Sequence, residues 1–237
     1  MLITSGSALL VDGHSHTFNQ VRACVETNKH AGTKHAGARL TIQATRIRRM
    51  PQARTYEHAL VKAGLGPVAG VDEAGRGACC GPMAIAACIL PAKPIHPLDK
   101  LNDSKILSPT MREKLFPIIK DSAESWSVIL ISAADIDKYG IQAMNIAGMR
   151  RAVGALDERP HYVLTDAMRV DGLTQPHLPI IGGDSAARCI AAASVLAKVT
   201  RDHYMCDLAE RYPGYGLEKH KGYGTACLLY TSDAADE

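Results

Sequence analysis

Val68-Ala69-Gly70-Val71-Asp72-Glu73-Ala74-Gly75-Arg76-Gly77 begins as an apolar run and stops on two adjacent carboxylates and a Gly-Arg-Gly turn. The apolar half reads as a buried strand. Successive side chains on a strand point to opposite faces, so Asp72 and Glu73 cannot both face solvent, and one of them is held near the core. A buried carboxylate without a partner is costly, so the pair asks for a cation, either a metal ion or an arginine. The alternative is a strand end capped by two solvated acids, the usual location of charged residues.

Outward from this stretch, Met83 to Leu90 is a second apolar run closed by Pro91, and the Gly-rich turn before it predicts a hairpin. Upstream, Tyr56, Ala59, Leu60 and Ala63 fit a short amphipathic helix leading into the first strand. Downstream, Lys93 to Leu101 is a proline-containing loop, and Leu101-Asn102-Asp103-Ser104-Lys105 leads to Ser108-Pro109, a cap with proline at the first helical position. A helix is predicted from there to Ser122, a third strand over Trp126 to Ala133, and, after a loop near Gly140, a helix over Ala143 to Leu156 that ends before Pro160. Tyr162-Val163-Leu164-Thr165-Asp166 repeats the device of an apolar run ending in an acid, and Pro179-Ile180-Ile181-Gly182-Gly183-Asp184 repeats it again. An Ala-rich helix is predicted from Ser185 to Arg211, apolar along Ile190, Ser194 and Ala197. Strands that end in acids and alternate with helices predict an α/β fold, a mixed sheet covered by helices around a ring of carboxylates.

Composition bounds the rest. The chain has 237 residues, 46% hydrophobic and 22% charged, which suits one soluble catalytic domain with some chain to spare. No apolar run approaches the roughly 20 residues of a membrane span, and no signal-type apolar stretch follows the N-terminus; the expected location is the cytoplasm. The seven cysteines have no metal-type spacing and read as reduced packing residues. The net charge of +3 is too small to identify a nucleic-acid partner. Residues 1–63 carry nine Lys and Arg against three acids, so the remainder is slightly acidic. Residues 1–53, with a basic knot at Arg46, Arg48 and Arg49, show no foldable pattern. They read as an unassigned leader, disordered or non-native, or as a basic arm attracting phosphates.

The decapeptide, with Gly81-Pro82 and the apolar run after it, resembles the opening motif of ribonuclease HII, the type 2 ribonucleases H. The resemblance covers about Tyr56 to Thr225 and implies a ribonuclease H-like mixed sheet flanked by helices, with a C-terminal helical part. It assigns four metal-binding, catalytic acids: the Asp-Glu pair, an aspartate ending a later strand, and one in a Gly-Asp motif before the Ala-rich helix. These are Asp72, Glu73, Asp166 and Asp184. An all-oxygen set suits Mg²⁺ or Mn²⁺, and a pair of such ions serves in-line displacement at phosphorus. Without metal, clustered carboxylates repel. Asp202 also lies in a family-like stretch but reads as structural, since a continuous helix would carry it about 27 Å from Asp184. Asp103 and Asp171 read as loop or substrate-contact groups rather than ligands.

The resemblance further implies that Gly75, Arg76 and Gly77 meet the 2′-hydroxyl that separates RNA from DNA. It implies that Tyr223, in His220-Lys221-Gly222-Tyr223, packs on the sugar at the cleavage junction, and that Asn102, Asp103, Ser104 and Lys105 contact the nucleic acid. Lys198, Arg201, His220 and Lys221 are candidates for phosphate contacts, each equally readable as a solvated surface charge. The expected enzyme cuts the RNA strand of RNA–DNA hybrids and nicks duplex DNA 5′ of embedded ribonucleotides, leaving a 3′-hydroxyl and a 5′-phosphate, as a monomer. Residues 54–225 form its catalytic domain. Residues 226–237 resemble nothing in the family and read as a non-native tail, which leaves a catalytically weakened hybrid-binding protein as the alternative. The sister type 3 family is a further one, although residues 1–53 do not look like its N-terminal binding domain.

Overall fold

The computed structural model describes residues 54–101 and 107–224. Helix α1 (Thr55–Lys62) leads into β1 (Val68–Ala74), which pairs antiparallel with β2 (Met83–Ile89), itself antiparallel to β3 (Ser125–Ile131). Then β4 (Tyr162–Asp166) adds to the other side of β1 in parallel, and β5 (His177–Ile180) adds to β4 in parallel. The five strands run in the order β3-β2-β1-β4-β5, the mixed sheet that the strand pattern predicts.

Two helical layers cover it. On one face lies α6 (Arg188–Arg211), with α2 (Pro109–Ser122) beside it. Ala74, Ala84, Ala86 and Cys88 of the sheet meet Ala191 to Ala197 of α6 and Leu115 and Ile119 of α2 there. Under the other face is α4 (Ile141–Gly154), whose Met149, Ala152 and Val153 pack against Val71, Ile85, Ala87 and Ile131. Small side chains on both surfaces let α6 come unusually close to the sheet. At Gly70 a Cβ would stand 2.2 Å from the Cys189 carbonyl carbon and 2.3 Å from the Ile190 nitrogen, so helix and strand meet backbone to backbone.

Several predicted boundaries change. A helix not anticipated, α3 (Ala133–Tyr139), precedes α4, capped by the Ser132 hydroxyl, which accepts from the Asp135 amide at 3.1 Å. Ser132 ends the strand pattern and starts a helix at once. The Ala-rich helix is also interrupted: a one-turn helix α5 (Gly183–Ala186) is separated from α6 by Ala187 in extended conformation. Asp184 therefore sits on α5 and does not end a strand. A last short helix, α7 (Leu217–His220), folds against α6. No described helix is long and apolar enough to cross a membrane.

Candidate metal and substrate site

Strand alternation decides the fate of the two adjacent acids. Asp72 shares the parity of Gly70 and Ala74, faces α6, and is 5% exposed; Glu73 shares the parity of Val71 and lies on the α4 side, partly open. Parallel pairing of β4 beside β1 carries Asp166 to the same sheet end, and the turn after β5 returns Asp184 to it. One carboxylate oxygen from each of Asp72, Asp166 and Asp184 lies within 4.8 Å of the others. The expectation that one acid of the pair is held near the core is met by Asp72.

Two acids of the trio are held from behind by the main chain and a hydroxyl. Asp72 Oδ1 accepts from the Glu73 amide at 2.7 Å, and the Ser194 hydroxyl donates to the same carboxylate. Asp166 Oδ1 accepts from the Gly183 amide at 2.7 Å, tying β4 to the start of α5. Burial pushes the Asp72 carboxyl well up from its ordinary range, and the charges of Glu73 and then Asp166 add to the rise; the bonds from Ser194 and the Glu73 amide oppose it. Repulsion among clustered carboxylates is the cost anticipated from sequence. A hard divalent cation fits these residues: the donors are all carboxylate oxygens, they converge from separate elements, and their charge asks for a counter-charge.

Glu73 is not brought into the trio; its Oε1 lies 3.8 Å from the Arg76 guanidinium. Arg76 is half-exposed and also donates to Gln142 Oε1 at 3.0 Å, so the Gly75-Arg76-Gly77 turn is anchored on the α4 side and open to solvent. Tyr223 is partly buried, with Lys198 Nζ and Arg201 Cζ each 5.2 Å from its ring centroid. Asn102, Asp103, Ser104 and Lys105 lie outside the described residues, as do residues 1–53 and the tail from 226.

Of the candidate phosphate contacts, Arg201 and His220 turn inward, while Lys198 and Lys221 stay partly exposed. Arg201 is fully buried and donates to the Pro82, Lys221 and Cys80 carbonyls, because a guanidinium leaving water must spend its donors on the main chain. His220 is buried between the Tyr215 carbonyl and the Gly222 amide. Lys221 bonds the Asp202 carbonyl and Cys206 Sγ. Lys198 pairs with Asp202 at 2.7 Å. Asp171 is exposed beside Arg169, as a loop residue. Sequence reasoning missed Ser194, read as part of an apolar helix face; the available signal was one hydroxyl inside the run Ala191-Ala192-Ala193-Ser194-Val195.

The family model of Ribonuclease HII matches residues 69–228. Ribonuclease HII of Corynebacterium efficiens is 67% identical over 179 residues, covering 76% of this chain and 78% of that protein. The Corynebacterium diphtheriae protein of that name is 63% identical over 184 residues, covering 78% and 80%. Among solved structures, ribonuclease H2 from Pyrococcus horikoshii superposes with a TM-score of 0.61 at 29% identity, over 72% of this chain and 89% of that one. The RNase HII of Archaeoglobus fulgidus, solved in a complex with PCNA, shares the fold with a TM-score of 0.60 at 23% identity, over 70% and 87%.

Proposed function

The chain belongs to the ribonuclease HII family, and from that premise we propose that it nicks duplex DNA on the 5′ side of an embedded ribonucleotide as well as cutting the RNA strand of hybrids. It is a hydrolytic endonuclease of RNA–DNA hybrids that uses divalent metal. The observation that carries the finer reading is the convergence of Asp72, Asp166 and Asp184, from three separate elements, beside the Gly75-Arg76-Gly77 turn.

Asp72, Asp166 and Asp184 would hold the cation, Mg²⁺ or Mn²⁺, and Glu73, whose Oε1 faces Arg76 at 3.8 Å here, would turn onto it as the fourth carboxylate. At such a set the ion supplies Lewis-acid neutralisation of charge building on a phosphoryl oxygen and lowers the pKa of water. The chain's own part is positional. The Glu73 amide and the Ser194 hydroxyl fix the Asp72 carboxylate, and the Gly183 amide fixes Asp166, so the acids do not reorganise as charge develops. Gly77, where a Cβ would meet nothing within 4 Å, lets the main chain approach a ribose closely, and a main-chain donor or acceptor of the Gly75-Arg76-Gly77 turn can address a 2′-hydroxyl that DNA lacks. Arg76, half-exposed, is placed to grip a phosphate through its planar fork. Tyr223 offers its ring to the sugar at the junction. The products are a 3′-hydroxyl and a 5′-phosphate, and the working unit is a monomer of the domain formed by residues 54–225.

The test is a labelled DNA duplex carrying one ribonucleotide, incubated with Mg²⁺ or Mn²⁺ beside an all-DNA control and Asp184→Asn. A single nick 5′ of the ribonucleotide, absent in Asp184→Asn, is the expected result. Cleavage of hybrids without that nick refutes the junction reading, and undiminished cleavage by Asp184→Asn refutes the assignment of the acids.

A further inference from the structure

We propose that Arg201 is a positioning residue for ribose recognition: its buried guanidinium ties the turn running from Gly75 to Pro82 to the turn at Lys221–Tyr223, holding both sugar-facing segments in one frame. The inference deepens the ribose-reading role given above to Gly75, Arg76, Gly77 and Tyr223, and rests on it.

Arg201 is 0% exposed. Its Nε donates to the Pro82 carbonyl at 2.8 Å and one terminal nitrogen to Cys80 at 3.1 Å, both on the first segment. The other terminal nitrogen donates to the Lys221 carbonyl at 2.8 Å, on the second. A guanidinium presents its donors in a fixed plane, so one side chain sets the relative position of three carbonyls from two loops. Charge-assisted bonds of this kind are stronger than neutral ones and offset the burial of the cation. The Tyr223 ring lies over the same group, 5.2 Å from Cζ. Gly75, at φ +97°, runs so near that a Cβ would stand 2.1 Å from Arg201 Nε.

The two segments also touch each other directly. Cys79 N donates to the Gly222 carbonyl at 2.8 Å, and a Cβ on Gly222 would stand 2.4 Å from the Cys80 carbonyl oxygen, the acceptor of Arg201. The spacing of these two is set by this direct contact together with Arg201, which projects from α6, the helix that also sends Ser194 to Asp72. Ser194 and Arg201 stand two helical turns apart on one face, about 10.5 Å along the axis. One rigid helix thus sets the metal-holding acid and the sugar-reading loops at a fixed separation.

The experiment compares wild type with Arg201→Lys, which keeps the charge and loses the fork, and with Gly222→Ala, which parts the two segments while leaving Arg201 in place. Three readouts are taken: steady-state cleavage of the single-ribonucleotide duplex, the rise in melting temperature on adding Mn²⁺, and amide hydrogen exchange over residues 75–82. Both variants are expected to keep the Mn²⁺ response, because the acid trio is held elsewhere. Both are expected to exchange faster over 75–82 and to lose at least about tenfold in kcat/KM, a modest loss for loops displaced by a fraction of an ångström. Should Arg201→Lys not fold, Arg201→Gln, whose single amide cannot reach both segments, decides by the same readouts. The inference is overturned if kcat/KM and exchange stay within about twofold of wild type, or if the Mn²⁺ response disappears together with cleavage. Wild-type protein that cuts nothing would instead sink the ribose-reading role, while the exchange data still report whether Arg201 ties the segments.

Discussion

Replacing Gly70 with alanine tests whether the close seating of α6 on β1 organises the site. A Cβ there would meet the Cys189 carbonyl carbon at 2.2 Å, the Ile190 nitrogen at 2.3 Å and the Cys189 oxygen at 2.5 Å. All three are backbone atoms, so no side chain can swing aside, and the helix must retreat by about 1 Å to restore ordinary contact. A gap of that size forfeits a quarter to a half of the dispersion energy across the contact, here along the fully buried run Ala191 to Ala197. The expected cost is about 3 kcal/mol, the upper end of overpacking penalties, which lowers the melting temperature by roughly 6–12 °C for a domain of this size. The same retreat draws Ser194 off Asp72, and a displacement of that order costs about 10²-fold in rate. Gly154→Ala is the control: it ends α4, a Cβ there meets nothing within 4 Å, and the change is expected to stabilise by about 0.5–1 kcal/mol. Thermal denaturation followed by circular dichroism, with cleavage kinetics on the same samples, reads both. If Gly70→Ala melts within about 1 °C of wild type and cuts at an undiminished rate, helix seating does not set the site.

Ser194→Ala removes the hydroxyl from Asp72 and is expected to weaken Mn²⁺ binding by about 10–100-fold in calorimetric titration, with Ser194→Thr restoring most of it; equal affinities would show the hydroxyl to be idle. Divalent metal at about 100 times its dissociation constant should raise the stability of wild type by about 2.7 kcal/mol and that of Asp184→Asn by much less, so equal thermal shifts would place the ion elsewhere. Glu57 is buried, one of its oxygens accepts from the Cys189 amide, and burial raises its carboxyl pKa. A raised folded-state pKa favours the protonated form, so the stability this group contributes is fully present below the unfolded carboxylate pKa and is lost as pH rises through the folded one. Glu57→Gln is therefore expected to melt above wild type near about pH 8, with the difference shrinking as pH falls; a difference independent of pH refutes the burial argument.

Much of this protein is legible in order along the chain. The apolar run ending at Asp72-Glu73 announces a buried strand with one acid turned inward, because strand alternation is local and needs no partner to operate. The Ser108-Pro109 cap and the Ala-rich run to Arg211 mark their helices through backbone satisfaction and propensity, again local effects. The break at Ala187 and the helix at Ala133–Tyr139 escape such reading, since a one-residue interruption and a seven-residue helix leave little periodicity to detect.

Which acid of the pair joins the cluster, and which cations face solvent, belong to tertiary structure. Asp72 meets Asp166 and Asp184 only because β4 lies parallel beside β1 and α6 covers that face, while Glu73, one residue on, turns toward Arg76. Arg201 and His220 look in sequence like any surface polar groups, yet both are buried and spend their nitrogens on the main chain. Charge and spacing along the chain determined which residues were available for metal and nucleic acid. Which of them the fold buries, pairs or leaves open was settled by packing, because a charged group's surroundings depend on how much water it keeps and which carbonyls and carboxylates the fold brings within its reach.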